Sequence, residues 1–224
     1  MTGRPPVILA RPEPPAPELA PALDLLKLHH ESFFNAAEFA EATDHPVPSD
    51  TRAWSQILVS LLTGIKGMAR KKGADFADGS DVKGANVWLA IDTPRFNGCI
   101  KSGRKGDKGN MKSLDGIPWL FFVLWDHEPT HKRERCRVWV VRPCGDAQFR
   151  RMCAKWYQQR DDGVIKSDNF QLHPPRNKDS DVFTNECGNL SYPLLFGAHW
   201  VGNGYTVVTY NPDALTAKVC VAAG

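Results

Sequence analysis

The sequence predicts an α/β (α+β) domain in which a mixed central β-sheet is flanked by helices. Three observations carry this. Apolar residues recur at helical spacing over the first third of the chain, the period changes to that of strands after Gly73, and a nine-residue apolar block at Ile117–Trp125 is bounded by turn residues.

Residues 1–17 are proline-rich and aperiodic, which predicts a flexible arm. From Glu18 to Ala42, Leu19, Leu23, Leu26, His30, Phe33, Phe34 and Ala37 fall at helical spacing. Asp44-His-Pro-Val-Pro-Ser-Asp50 interrupts them, and Ser49 or Asp50 can cap a second helix with the apolar stripe Trp54, Ile57, Leu58, Leu61, Leu62 and Ile65. Ala74–Ala77 and Ser80–Trp88, separated by Asp78-Gly79, read as a β-hairpin because Asp-Gly between extended runs is a strong turn signal. Ile117–Trp125 is apolar on both faces, as a central strand must be, and the alternating stretch Arg135–Arg142 reads as its neighbour. Phe149, Met152, Cys153, Trp156 and Tyr157 then predict a helix over Asp146–Gln159. The core is expected over residues 18–160, with 161–224 a β-rich continuation of the same domain serving recognition or dimerisation.

Composition excludes several classes of protein. At 224 residues, with 42% hydrophobic and 24% charged residues, the chain is neither a disulfide-stapled miniprotein nor a disordered one. No apolar run approaches the roughly 20 residues of a membrane span, and the start has no secretory apolar stretch, so a cytoplasmic protein is expected. The six cysteines form no C-x-x-C pair and read as reduced thiols. A zinc site from His127, His131, Cys136 and Cys144 is disfavoured, because RVWVVR, as a strand, would hold the two cysteines more than about 20 Å apart. The net charge of +3 hides an asymmetry. Arg95, Lys101, Arg104, Lys105, Lys108 and Lys112 face a single acid, Asp107, in a glycine-rich segment, whereas acids crowd the first 50 residues. A basic segment of this kind suits a phosphate backbone.

The chemistry lies in Gly73-Ala-Asp75-Phe-Ala-Asp78-Gly-Ser-Asp81-Val-Lys83. In a strand, Asp81 and Lys83 project from one face while Val82 is buried on the other. A turn at Asp78-Gly79 folds Asp75 back beside them. Two carboxylates and an ammonium group then converge, the residue types that metal-assisted phosphodiester hydrolysis requires. Carboxylates are the hard ligands Mg²⁺ prefers, and a lysine can orient water and offset charge on the phosphate oxygens.

These residues resemble the PD-(D/E)xK nuclease motif, with Ala74-Asp75 in the place of Pro-Asp and Asp81-Val82-Lys83 in the place of (D/E)xK. The short interval between the acids is similar to that of the MutH-like type II restriction endonucleases, including MvaI and BcnI. The resemblance covers roughly residues 50–160 and implies a restriction-endonuclease-like core, with Asp75 and Asp81 holding Mg²⁺ and Lys83 as the catalytic lysine. The proline before Asp75 is missing and an aspartate stands where that branch usually has glutamate, which leaves Asp78 as a rival for the first acid. Some members add a glutamate from a preceding helix, for which Glu38 and Glu41 are the candidates.

The function expected is that of a Mg²⁺-dependent, sequence-specific endonuclease of double-stranded DNA, of type II restriction, acting as a homodimer and leaving 5′-phosphates. The alternatives are a nicking repair enzyme of MutH type and a non-enzymatic DNA-binding module. Arg95, Asn97, Lys101, Arg104, Lys105 and Lys108 are the expected DNA contacts, with arginine and lysine suited to guanine or phosphate and asparagine to adenine. Lys132, Arg133 and Arg135 read as a solvated hairpin tip.

Overall fold

The computed structural model describes residues 18–45, 50–68, 73–87, 94–102, 109–128, 133–175, 182–192 and 194–215. Three helices, α1 (Leu19–Ala42), α2 (Arg52–Thr63) and α3 (Ala147–Asp161), surround a five-stranded sheet. Its strands are β1 (Asp81–Asn86), β2 (Leu120–Glu128), β3 (Arg133–Val141), β6 (Leu194–Val201) and β7 (Gly204–Tyr210), in the order β1-β2-β3-β6-β7. A separate hairpin pairs β4 (Val182–Asn185) with β5 (Gly188–Ser191). β1 runs parallel to β2 and the other pairs in the main sheet are antiparallel, so the sheet is mixed as predicted. Two of its five strands come from the C-terminal third, so that region completes the core sheet.

The apolar block behaves as its composition requires. Phe121, Val123 and Trp125 pack on one face against Ala22 and Leu26 of α1 and Leu58, Val59 and Leu62 of α2. Leu120, Phe122 and Leu124 pack on the other with Trp139 and with Phe149, Met152 and Trp156 of α3. A strand covered on both faces has no position for a polar residue until Asp126. Among the described residues, no helix is long and apolar enough to cross a membrane.

The expected hairpin at Asp78-Gly79 is corrected. The turn forms, with Gly79 at φ 93° and the Phe76 N–H donating to the Ser80 carbonyl at 3.2 Å, but no ladder follows it. The backbone of residues 75–77 is already engaged by the stretch after α2: Met68 N–H donates to Asp75 O at 2.9 Å and Ala77 N–H to Lys66 O at 2.8 Å. Among the described residues β1 is therefore the sheet's edge strand, with β2 as its strand partner. Helix α2 sits directly on it. A Cβ on Gly84 would lie 2.6 Å from Ser55 Oγ and 2.9 Å from Thr51 Oγ1, so only glycine permits this approach, and Trp125 Nε1 donates to Ser55 Oγ at 2.9 Å to lock α2 to β2.

The supposed basic tip between β2 and β3 is corrected as well. Arg135 is 5% exposed, because its Nε donates to Asp126 at 2.6 Å; Lys132 lies outside the described residues. On the opposite sheet face, His29 Nδ1 and His127 Nε2 are 3.1 Å apart, enclosed by Phe33, Trp54 and Trp125, while His30 stacks on Trp200 and hydrogen-bonds Glu134. Burial, then the charge of His30, lowers His29 to about 4. Burial, then His29 and His30, lowers His127 to about 3. Both folded values lie below that of the unfolded chain, so the unfolded state takes up protons first. The stability they support is complete above pH 6.5 and is lost as pH falls from there toward 4, by about 1.4 kcal/mol per pH unit for each histidine. Denaturant midpoints between pH 7 and 4.5 are expected to fall steeply in the wild type and more gently in His127→Gln; parallel curves would exclude the pair as the cause.

Candidate active site

The edge strand and the turn before it bring Asp75, Asp81 and Lys83 together. Strand alternation places Val82 in the core behind and Asp81 and Lys83 forward. The Val82 N–H donates both to Asp75 Oδ2 at 3.0 Å and to Asp81 Oδ1 at 2.9 Å, so one backbone donor gathers two carboxylates. Lys83 Nζ donates to Asp81 Oδ2 at 2.6 Å. Asp78 does not join them. Its two oxygens accept the N–H and hydroxyl of Ser80, each at 2.9 Å, which closes the turn that carries Asp75 back toward β1.

The two acids are electrostatically unlike. Burial, reinforced by its hydrogen bond with Asp81, pushes Asp75 up to about 6. Burial would also raise Asp81, but the hydrogen bond from Asp75 and the charge of Lys83 outweigh it and hold Asp81 below the ordinary carboxylate range. Without a cation, ionising both carboxylates side by side is unfavourable, and Asp75 carries that cost. Paired, half-buried carboxylates that repel each other suit a divalent cation, and Mg²⁺ takes as few as one or two protein carboxylates, the remaining positions being water and phosphate. Among the described residues no group of three or more histidine, cysteine or acidic side chains is arranged to hold a metal.

A residue missed in the sequence completes the arrangement. Gln56 of α2 donates from Nε2 to Asp75 Oδ1 at 2.6 Å. Glu38 and Glu41, the acids expected to reach the site from a helix, are exposed on α1. The clue to Gln56 was its place on the polar side of the α2 stripe, one residue from Ser55 at the Gly84 approach, but only the closeness of α2 to β1 reveals it.

Two recesses flank the acids. One, of about 290 Å³, is lined by Arg52, Asp75, Val82, Lys83, Gly84 and Asn97. The other, of about 640 Å³, includes Asp81, Cys99 and Lys101 in its walls. Of the expected DNA contacts, Asn97 and Lys101 thus border the site. Arg95 turns its Nη1 toward Gln171 Oε1 at 3.4 Å, and Arg104, Lys105 and Lys108 lie outside the described residues.

A mixed sheet flanked by helices, with an acid and a lysine on its edge strand and a second acid in the turn before it, is a restriction-endonuclease-like α+β fold. The chain matches the MamI restriction endonuclease family over residues 38–197 and belongs to that family. It is 31% identical over 173 residues to the type II restriction enzyme MamI of Microbacterium ammoniaphilum, an alignment covering 71% of this chain and 55% of the relative. The chain thus spans about half the length of the curated relative it matches. No solved structure matches it.

Proposed function

We propose that this protein is a Mg²⁺-dependent, sequence-specific endonuclease of double-stranded DNA, a type II restriction enzyme of the PD-(D/E)xK kind, acting in the bacterial cytoplasm as a homodimer and leaving 5′-phosphates. The observation that carries the reading is the convergence of Asp75 and Asp81 on the Val82 N–H, with Lys83 on Asp81, in a member of this family.

Asp75 and Asp81 are the residues that would hold the cation, which when bound supplies charge neutralisation at the phosphate and lowers the pKa of water. The chain's own groups do the rest. Lys83 holds a proton at Nζ against Asp81 and places a positive charge where the phosphate gains negative charge. Gln56 fixes the rotamer of Asp75 through Oδ1, leaving the shared Val82 N–H to fix Oδ2. Arg52 and Lys101 border the approach to the acids, where a DNA backbone would lie.

The deciding experiment incubates phage and plasmid DNA with Mg²⁺ and compares wild type with Asp81→Ala. Discrete linear fragments from the wild type alone are expected. Nicked circles would instead indicate cutting of one strand, and DNA binding with no Mg²⁺-dependent cleavage of diverse DNA would overturn the enzyme reading. Gln56→Ala is expected to slow cleavage about 10-fold, the lower end for a residue that orients a metal-binding side chain. A single-turnover rate equal to that of the wild type would remove Gln56 from this role.

A further inference from the structure

Asn97 follows Phe96 and Gln171 precedes Leu172, and these two buried residues exchange paired backbone hydrogen bonds, Phe96 N–H to Leu172 O at 2.8 Å and Leu172 N–H to Phe96 O at 3.1 Å. On this rigid seat three carboxamides meet, Asn97 exposed and Asn169 and Gln171 half-buried. Asn97 Oδ1 accepts from Asn169 Nδ2 at 3.1 Å and from Gln171 Nε2 at 2.8 Å.

Their polarity is dictated from outside the group. Gly98 N–H, which can only donate, gives its hydrogen bond to Asn169 Oδ1 at 2.7 Å, so Asn169 must turn its amino group to Asn97. Arg95, whose guanidinium likewise can only donate, faces Gln171 Oε1, so Gln171 must do the same. With both donors aimed at Oδ1, the two lone pairs of that oxygen are used and Asn97 is left with its Nδ2 hydrogens alone to offer. The pairing of asparagine with adenine expected from the sequence needs an acceptor as well as a donor on the same amide, and this amide has no acceptor to give.

Asn97 lines the same small recess as Asp75 and Lys83, with Arg52 also in its wall. Two cationic side chains and a donor-only amide facing one acid make a seat for an anionic oxygen, and the anion that DNA brings to this point is its phosphate. We propose that Asn97 grips a non-bridging phosphate oxygen of the strand to be cut, and that Asn169 and Gln171 are positioning residues that hold its amide in the donating sense. This rests on the nuclease reading and deepens it.

The test uses the full chain and a duplex oligonucleotide carrying a site mapped from the wild type's own digest. Asn97→Asp keeps the oxygen that accepts from Asn169 and Gln171 but replaces the outward donor by a second carboxylate oxygen. It is expected to lower kcat/KM by about 10²-fold with an unchanged melting temperature, the scale on which one preorganised donor to phosphate or oxyanion acts. Gln171→Glu can still accept from Arg95 but can no longer donate to Asn97, which removes one of the two donors that hold the amide and sets a carboxylate against its oxygen. It is expected to cost about 10-fold in the wild-type background and little in Asn97→Ala, as two residues acting through one group do. Binding without metal supplies the independent readout: replacing one phosphate by methylphosphonate should weaken the wild type, and the same replacement should cost Asn97→Ala nothing further.

Activity of Asn97→Asp within about 3-fold of wild type would overturn the inference and leave the nuclease reading intact. A changed set of cleaved sequences would also overturn it, by showing that Asn97 reads a base. A wild type that cuts no DNA would remove the nuclease reading and the inference together.

Discussion

Lys83→Ala is expected to lower the single-turnover rate of DNA cleavage by about 10³-fold or more, the combined scale of removing a charge-stabilising donor and a group that manages a proton. The structure gives the reason in two parts. Lys83 Nζ is within 2.6 Å of Asp81 Oδ2, and Lys83 also lines the recess bordered by Asp75 and Arg52, so the substitution removes a positive charge from the place where phosphate would sit. It also removes one of the influences holding Asp81 ionised, which raises the cost of keeping two carboxylates charged side by side. Lys83→Arg separates the roles. An arginine keeps the charge but does not give up a proton near neutrality. If the ammonium acts by charge alone, arginine restores much of the rate; if it must pass a proton to or from water, arginine fails like alanine. Melting temperature and metal-free DNA affinity serve as controls, and a Lys83→Ala rate within about 3-fold of wild type at equal folding would exclude the lysine from the chemistry.

How far the sequence reveals this site depends on how local each determinant is. The helices and the strands β2 and β3 were legible because hydrophobic periodicity reports burial directly, and an apolar block such as Ile117–Trp125 can only be covered on both sides. The Asp-Gly turn was legible too, but what it joins was not. Asp-Gly encodes a reversal of the chain, and whether a ladder follows depends on the competing partners of residues 75–77, which here are Lys66 and Met68 beyond the end of α2. The parallel register of Asp81 with Leu120 is set across nearly 40 residues of chain, and nothing in either segment announces it.

The polar residues that complete the site were the least legible. Gln56, Asn169 and Gln171 are ordinary surface amides in sequence, and they acquire meaning only because Gly84 admits α2 and because Phe96 pairs with Leu172. Basic residues were misjudged for the opposite reason. Arg135 sits in what reads as a charged tip, yet the acid opposite it in the register, Asp126, draws it into the interior.

That acid is also the place where a single substitution should cost the fold most. Asp126 Oδ2 accepts from Arg135 Nε at 2.6 Å and from Arg137 Nη2 at 2.8 Å, and all three side chains are at most 6% exposed. Arg137 Nη2 also reaches the Pro175 carbonyl at 2.8 Å, and its guanidinium lies 5.1 Å from the Trp139 ring centre, so the triad pins the end of the segment that carries Asn169 and Gln171. Asp126→Ala would leave two guanidinium groups buried beside a cavity with their shared counter-charge gone. Neither can shed its proton to escape, since arginine stays charged well above neutral pH. The expected loss is about 3–5 kcal/mol, or roughly 10 °C in melting temperature for a chain of this size. Asp126→Asn keeps an acceptor oxygen but not the charge and should fall between the alanine variant and wild type. Replacing all three residues by apolar side chains of similar volume should recover much of the loss, because it removes the charges that need desolvating together with the carboxylate between them. A denaturant midpoint for Asp126→Ala that implies less than about 1 kcal/mol would mean that water or a neighbouring group takes over from the carboxylate. The triad would then be incidental to the stability of the sheet.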